Sequence, residues 1–145
     1  MIREYVETDL ESTAKVWLRS GQDEYHYLPA FLNLDEKKAV DVFRRVIQHN
    51  CKIWIYQSGQ EVGGFMAMDS NLIDRLYIDP FFQCSGIGSM FINYAKELCP
   101  SGLVLKTHQQ NKRACEFYEK RGFKPVAFGV SPAPESMPDV EYRWP

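Results

Sequence analysis

No apolar run in the 145-residue sequence approaches the roughly eighteen residues that a membrane-spanning helix needs. No membrane partner is expected, and the chain reads as soluble. Excess charge is missing too: 17 Lys and Arg against 19 Asp and Glu leave a formal net charge of −2, which offers no general attraction to nucleic acid. The four cysteines, Cys51, Cys84, Cys99 and Cys115, lack the paired spacing of a zinc site and the density of a disulfide scaffold, so reduced thiols and no metal are expected. The opening Met1, Ile2, Arg3, Glu4 and Tyr5 lacks the basic-then-apolar character of an export leader, and a cytoplasmic location is the expectation. No repeat, low-complexity tract or interdomain linker interrupts the chain, which points to one domain over residues 1–145.

What is present is material for a core, with 45% hydrophobic and 14% aromatic residues. Residues 2–6 read as a strand, and Thr8 with Glu11 has capping-box spacing ahead of Leu10, Ala14, Trp17 and Leu18 on one helical face. Between residues 21 and 33 this periodicity lapses into a loop dense in aromatics and acids. Its Glu24, Tyr25, His26 and Tyr27 either fold onto the core or wall a pocket for a cationic ligand. A second helix runs from about Asp35 to His49 on the spacing of Ala39, Val42, Phe43, Val46 and Ile47. Residues 52–56 and 61–68 flank a glycine-containing turn as an antiparallel hairpin, and residues 72–78 form the next strand. A helix to about Leu98 joins that strand to a parallel neighbour at 103–107. A short helix at 112–121 stops at Gly122, with Ala114, Phe117 and Tyr118 on one face. Strands at 123–128 and 141–144 are separated by a proline-stiffened loop, 131–138, that cannot join a ladder.

Between the strand at 72–78 and its helix lies Gln83-Cys84-Ser85-Gly86-Ile87-Gly88, followed by Ser89. Glycines let backbone approach a ligand, and the free amides and positive dipole end of a new helix favour an anion. A dinucleotide fingerprint would need glycine where Phe91 stands, and a nucleoside triphosphate loop would need Lys after Gly88, where Ser89 stands. Neither matches.

The hexad does resemble the Gln-x-x-Gly-x-Gly signature of the GNAT superfamily of N-acetyltransferases. Downstream, Asn111, Ala114, Phe117, Tyr118, Gly122 and Phe123 resemble that family's second pattern, Asn-x-x-Ala-x-x-Phe-Tyr-x-x-x-Gly-Phe. The resemblance spans nearly the whole chain. It implies an α/β (α+β) GNAT fold: a mixed sheet of six to seven strands, splayed between the fourth and fifth and flanked by about four helices.

It further implies acetyl-coenzyme A as cofactor and a primary amine of a small molecule or peptide as acceptor. The pantetheine arm would pair with Leu76, Tyr77 and Ile78 like an added strand, and the pyrophosphate would sit on the amides of Cys84, Ser85, Gly86, Ile87, Gly88 and Ser89, next to Gln83. Asn111 would bond the arm, with Ala114, Phe117 and Tyr118 closing the far wall. Lys112, Arg113, Lys120 and Arg121 are candidates for the adenosine 3′-phosphate. Tyr118 would protonate the leaving thiolate, and the amide near Ile78 would stabilise the oxyanion. Asp74, read as alternating with Leu72 and Leu76 on one strand face, is the candidate base, with an ordered water or His26 as rivals. Cys84 and Ser85 stand where the family often has a basic pair, which leaves the phosphate to amides. A non-catalytic coenzyme-binding or sensing module of the same fold is the alternative. The C-terminal Tyr142, Arg143, Trp144 and Pro145 either complete the sheet or meet a partner subunit, since homodimers are common in the family.

Overall fold

A computed structural model of the chain describes residues 1–24, 34–132 and 136–145. Its centre is a seven-stranded mixed sheet, built from β1 (Ile2–Glu4), β2 (Lys52–Ser58), β3 (Glu61–Asp69), β4 (Leu72–Ile78), β5 (Leu103–His108), β6 (Lys124–Val130) and β7 (Pro138–Trp144). The order across the sheet is β1-β2-β3-β4-β5-β7-β6. Every pairing is antiparallel except β4 with β5, which the connecting helix α3 (Ile87–Leu98) makes parallel.

Two helices cover one face: α1 (Leu10–Glu24), and α2 (Glu36–Val42), which continues as one wider-wound turn through Gln48. Leu10, Ala14, Trp17, Phe43 and Ile47 from these helices meet Ile53, Ile55, Phe65 and Tyr77 from the sheet. On the other face α3 and α4 (Lys112–Lys120) complete the layer, with Phe91, Ile92 and Ala95 against Met66, Ile73, Leu103, Leu105, Phe123, Val140 and Tyr142. Each large side chain buried here is worth about 1.5–3 kcal/mol, and strand alternation explains why two cores form, one on each side of the sheet.

Local structure corrects several boundaries. The cap before α1 is not the Thr8 and Glu11 box: Asp9 Oδ2 accepts from Val6 N at 2.8 Å, and Arg3 holds both Asp9 oxygens at 2.8 and 2.9 Å, so a 3-10 turn at Glu7–Asp9 starts the helix. α1 also runs on through Gly21 to Glu24, since a single glycine costs a helix only about 1 kcal/mol. Pro138 does enter the sheet, opposite Val130, as the first residue of its strand. The C-terminus completes the sheet through β7, with Tyr142 buried.

The feature that positions the site is an irregularity in β4. Ala67 pairs with Arg75 and Met68 with Ile73, so Asp74 is an extra residue on β4. The inserted residue reverses the strand's parity. Ile73 lies in the α3-side core, and so do Leu76 and Ile78, whereas Tyr77 lies in the α1-side core. The reading of Leu72, Asp74 and Leu76 as one alternating face is therefore corrected: alternation breaks at Asp74.

Candidate active site

Strands β4 and β5 are joined at only two positions, Leu72 with Val104 and Ile73 with Leu105. Beyond the extra residue they part. Asp79 N donates to Gly63 O at 2.9 Å, so the antiparallel alternation with β3 directs the backbone groups of Leu76 and Ile78 away from β3 and into the gap. α1 fixes the end of β4: Ser20 Oγ donates to Ile78 O at 3.0 Å, and Arg19 pairs with the buried Asp79 at 3.4 Å. Asp79 also caps the elbow Pro80–Phe82 by accepting from Phe81 N at 3.0 Å. Gln83 Nε2 closes the turn onto Ile78 O at 3.1 Å. That carbonyl is thus held twice from within the chain, which leaves the Ile78 amide and both Leu76 backbone groups directed into the gap.

The gap opens into a cleft of about 480 Å³ lined by Ser20, Leu76, Tyr77, Ile78, Phe82, Gln83, Cys84, Gly86, Ile87, Gly88, Ser89, Asn111, Arg113, Ala114, Phe117, Tyr118 and Arg121. At one end stands the N-terminus of α3. Gly86 caps it in the left-handed region (φ 84°), and the first helical bond runs from Met90 N to Gly86 O at 3.1 Å, so the amides before Met90 are open to a ligand. Gly88 serves a different need: a Cβ there would meet the Phe117 ring at 2.9 Å. The glycine lets α3 and α4 close on each other at the cleft.

Arg113 of α4 and Arg121, the residue that caps its C-terminus, bring charge to this end. Arg121 lies 3.7 Å from the centre of the Phe117 ring and donates to Phe117 O at 2.8 Å, while its Nε reaches Ser89 Oγ at 3.0 Å and its Nη2 contacts the same oxygen. Lys96 Nζ holds Arg121 O at 2.7 Å, which ties the helices together once more. Arg113 Nη2 lies 3.8 Å from Cys84 Sγ. The charge that Cys84 and Ser85 withhold from the loop therefore arrives from across the cleft.

At the other end Tyr118 packs between Phe117 (5.2 Å), Phe123 (5.7 Å) and Tyr142 (6.3 Å). Tyr142 Oη donates to Glu119 Oε2 at 2.6 Å. Burial and then that carboxylate push its phenol far above the usual tyrosine range, so Tyr142 stays neutral and anchors α4 beside Tyr118. Asn111 caps α4, its Oδ1 accepting from Ala114 N at 3.1 Å, a helix-capping role that the motif alone did not disclose.

All fourteen residues expected at the coenzyme line the cleft except Ser85, whose hydroxyl turns back to Phe82 O. Tyr77 does so with its ring turned into the α1-side core against Phe65. Asp74 is not among the lining residues. Its Oδ2 lies 3.7 Å from Cys51 Sγ and 3.5 Å from Arg75 Nε, because the inserted residue turns it out of the strand's alternation. Tyr25, His26 and Tyr27 and the side chain of Glu24 fall outside the described residues. Sequence reasoning missed Ser20 and Phe82; nothing local marks a helix serine that clamps a strand end.

A sheet wedged open between two parallel strands, with an anion cradle at the following helix, defines an acyl-group transferase built on the GNAT plan. The model of the acetyltransferase (GNAT) domain matches residues 49–125. The chain belongs to the GNAT family of N-acetyltransferases. It is 31% identical over 115 residues to the peptidyl-lysine N-acetyltransferase YjaB of Salmonella typhimurium, covering 79% of this chain and 76% of that protein. Among solved structures, apo YjaB from Escherichia coli superposes with a TM-score of 0.81 at 24% identity over 99% of this chain and 95% of that one. The PaiA N-acetyltransferase of Thermoplasma acidophilum in complex with coenzyme A gives 0.72 at 20% identity, over 99% and 98%.

Proposed function

We propose that this chain transfers the acetyl group of acetyl-coenzyme A to the side-chain amine of lysine in a peptide. The carrying observation is the wedge itself: β4 and β5 share two register pairs and then part, leaving backbone groups of Leu76 and Ile78 aimed into a cleft. Burying such groups without partners costs about 1–3 kcal/mol each, so an amide-bearing arm laid along β4 fits them. The open amides of α3, with Arg113 and Arg121 opposite, fit a pyrophosphate. The two arginines, expected at the 3′-phosphate, lie beside this cradle, against Cys84 and Ser89. Bound acetyl-coenzyme A supplies the activated acyl group.

The chain's own residues then have distinct tasks. The Ile78 amide is a fixed donor for charge that develops on an acyl oxygen, and it needs no reorientation. Tyr118 holds a proton at Oη against the reacting end. A phenol near 10 gives its proton to a thiolate near 8.5 at modest cost, and aromatic neighbours on three sides keep the ring in place. Asp74 lies outside the cleft, so in this reading the acceptor attacks as the neutral amine, the proton its nitrogen sheds as the amide forms passes to solvent, and solvent returns a proton to Tyr118 in place of the one given to the thiolate.

The test is coenzyme A calorimetry together with thiol release on lysine peptides and a panel of small amines, for the native chain and Tyr118→Phe. The reading expects micromolar coenzyme binding, turnover on peptides, and a loss on the order of 10²-fold in kcat for the variant with coenzyme affinity retained. Turnover on small amines alone would move the acceptor class. Binding without turnover on any amine would make the chain a coenzyme-binding module.

A further inference from the structure

The cleft accounts for one face of β4, and the other face carries a group that coenzyme binding does not use. Beyond Asp74 the strand turns Arg75 toward α1. Arg75 Nε is buried with no hydrogen-bond partner. Its guanidinium lies 6.0 Å from the Trp17 ring centre, and its described ion pair is the 3.5 Å contact to Asp74 Oδ2. The side chain keeps 28% of its surface open. Burial opposes the charge, but Tyr77 and Asp74 more than offset it, so Arg75 stays a cation. Other charged and titratable groups share this face by strand alternation: Lys106 and His108 on β5, with Glu141 and Asp139 opposite them on β7. Glu141 is taken by Arg143 at 3.1 Å.

The Trp17 ring, Tyr77 and the one long ion pair hold this half-buried guanidinium, and its Nε still lacks an acceptor at hydrogen-bond distance, so a further acceptor on the group would offset part of the cost of burying it. Its place is informative. The coenzyme arm would occupy the α3 side of the wedge, so an acceptor amine reaches the parting point of β4 and β5 from the α1 side, where Arg75 stands. We propose that Arg75 is a specificity residue that binds a carboxylate carried close to the acceptor amine, so that the preferred substrate is a lysine flanked by acidic residues. The inference rests on the acetyl-transfer reading above and narrows its acceptor.

The test uses two peptides with a single lysine, identical except that glutamate flanks it in one and glutamine in the other. Binding of each to the full chain saturated with coenzyme A is measured by calorimetry, and kcat/KM is measured with acetyl-coenzyme A. The native chain is expected to favour the glutamate peptide by roughly tenfold in both, the scale of one charge-assisted hydrogen bond. Arg75→Gln should abolish the preference and Arg75→Lys should keep part of it, with coenzyme A affinity and melting temperature near native in whichever variant is scored. Equal handling of the two peptides by the native chain, a preference that survives Arg75→Gln, or failure of the coenzyme-saturated chain to bind either peptide overturns the inference. Equal but rapid acetylation of both would leave the transferase reading intact, whereas failure to bind coenzyme A would strike that reading itself.

Discussion

Replacing Gly88 with alanine places a methyl group 2.9 Å from Phe117 Cζ and 3.0 Å from its Cε1. Carbon atoms rest about 3.5–4.0 Å apart, so the ring must retreat by roughly 0.5–1 Å. It cannot retreat alone, since Arg121 lies 3.7 Å over it and bonds both Phe117 O and Ser89 Oγ. Overpacking of this kind costs about 1–3 kcal/mol, against about 1 kcal/mol gained from alanine in a helix, so the net loss of stability is roughly 0–2 kcal/mol. The larger effect falls on the coenzyme. Displacing one charge-assisted contact is worth about 1.5–3 kcal/mol, or roughly a 10- to 150-fold rise in Kd. Urea midpoints and coenzyme A calorimetry separate the two effects. Adding Phe117→Leu to Gly88→Ala removes the crowded ring edge and should restore part of the affinity that the alanine variant loses. Native affinity in Gly88→Ala, or strictly additive losses in the double variant, would refute the reasoning.

Three further outcomes follow from the same geometry. Asp79→Ala removes the elbow cap and the Arg19 partner, and because Arg19 is half exposed the loss is set mainly by the cap, about 0.5–2 kcal/mol in chemical denaturation, with weaker coenzyme binding beside it. Cys84 is exposed and lines the cleft whereas Cys51, Cys99 and Cys115 are partly buried, so iodoacetamide should label Cys84 first, and saturating coenzyme A should slow that labelling and leave the others unchanged. Burial and then Asp74 hold the Cys51 thiol up to about 12, and burial with Glu7 and Asp9 does the same for Tyr5. The unfolded chain ionises these groups first, at about 8.5 and 10, so stability should fall as pH rises from about 9 toward 12, and Cys51→Ala should flatten the early part of that fall.

The parts legible in the sequence were those whose physics is local. The hexad 83–88 and the pattern from Asn111 to Phe123 carry their signal in short stretches: glycines that open a helix with free amides, and a face of Ala114, Phe117 and Tyr118 that lines the cleft. The parallel pairing of β4 with β5 followed from one intervening helix. The extra residue at Asp74 was not legible, because a strand of alternating character reads the same with or without it, and that single insertion moved the expected base out of the site. Arg121 was a candidate for the 3′-phosphate, but its contact with Ser89 at the start of α3 was hidden: it depends on two helices meeting across Gly88, between residues 32 positions apart.

The central claim is that coenzyme A fills the wedge between β4 and β5, and amide hydrogen exchange read residue by residue tests it most directly. On adding coenzyme A, exchange at the Leu76 and Ile78 amides should slow by at least about tenfold along with Ile87, Gly88 and Ser89, while Phe65 on β3 stays as it was. Saturated binding with Leu76 and Ile78 exchanging at their original rates would place the coenzyme elsewhere and contradict the account.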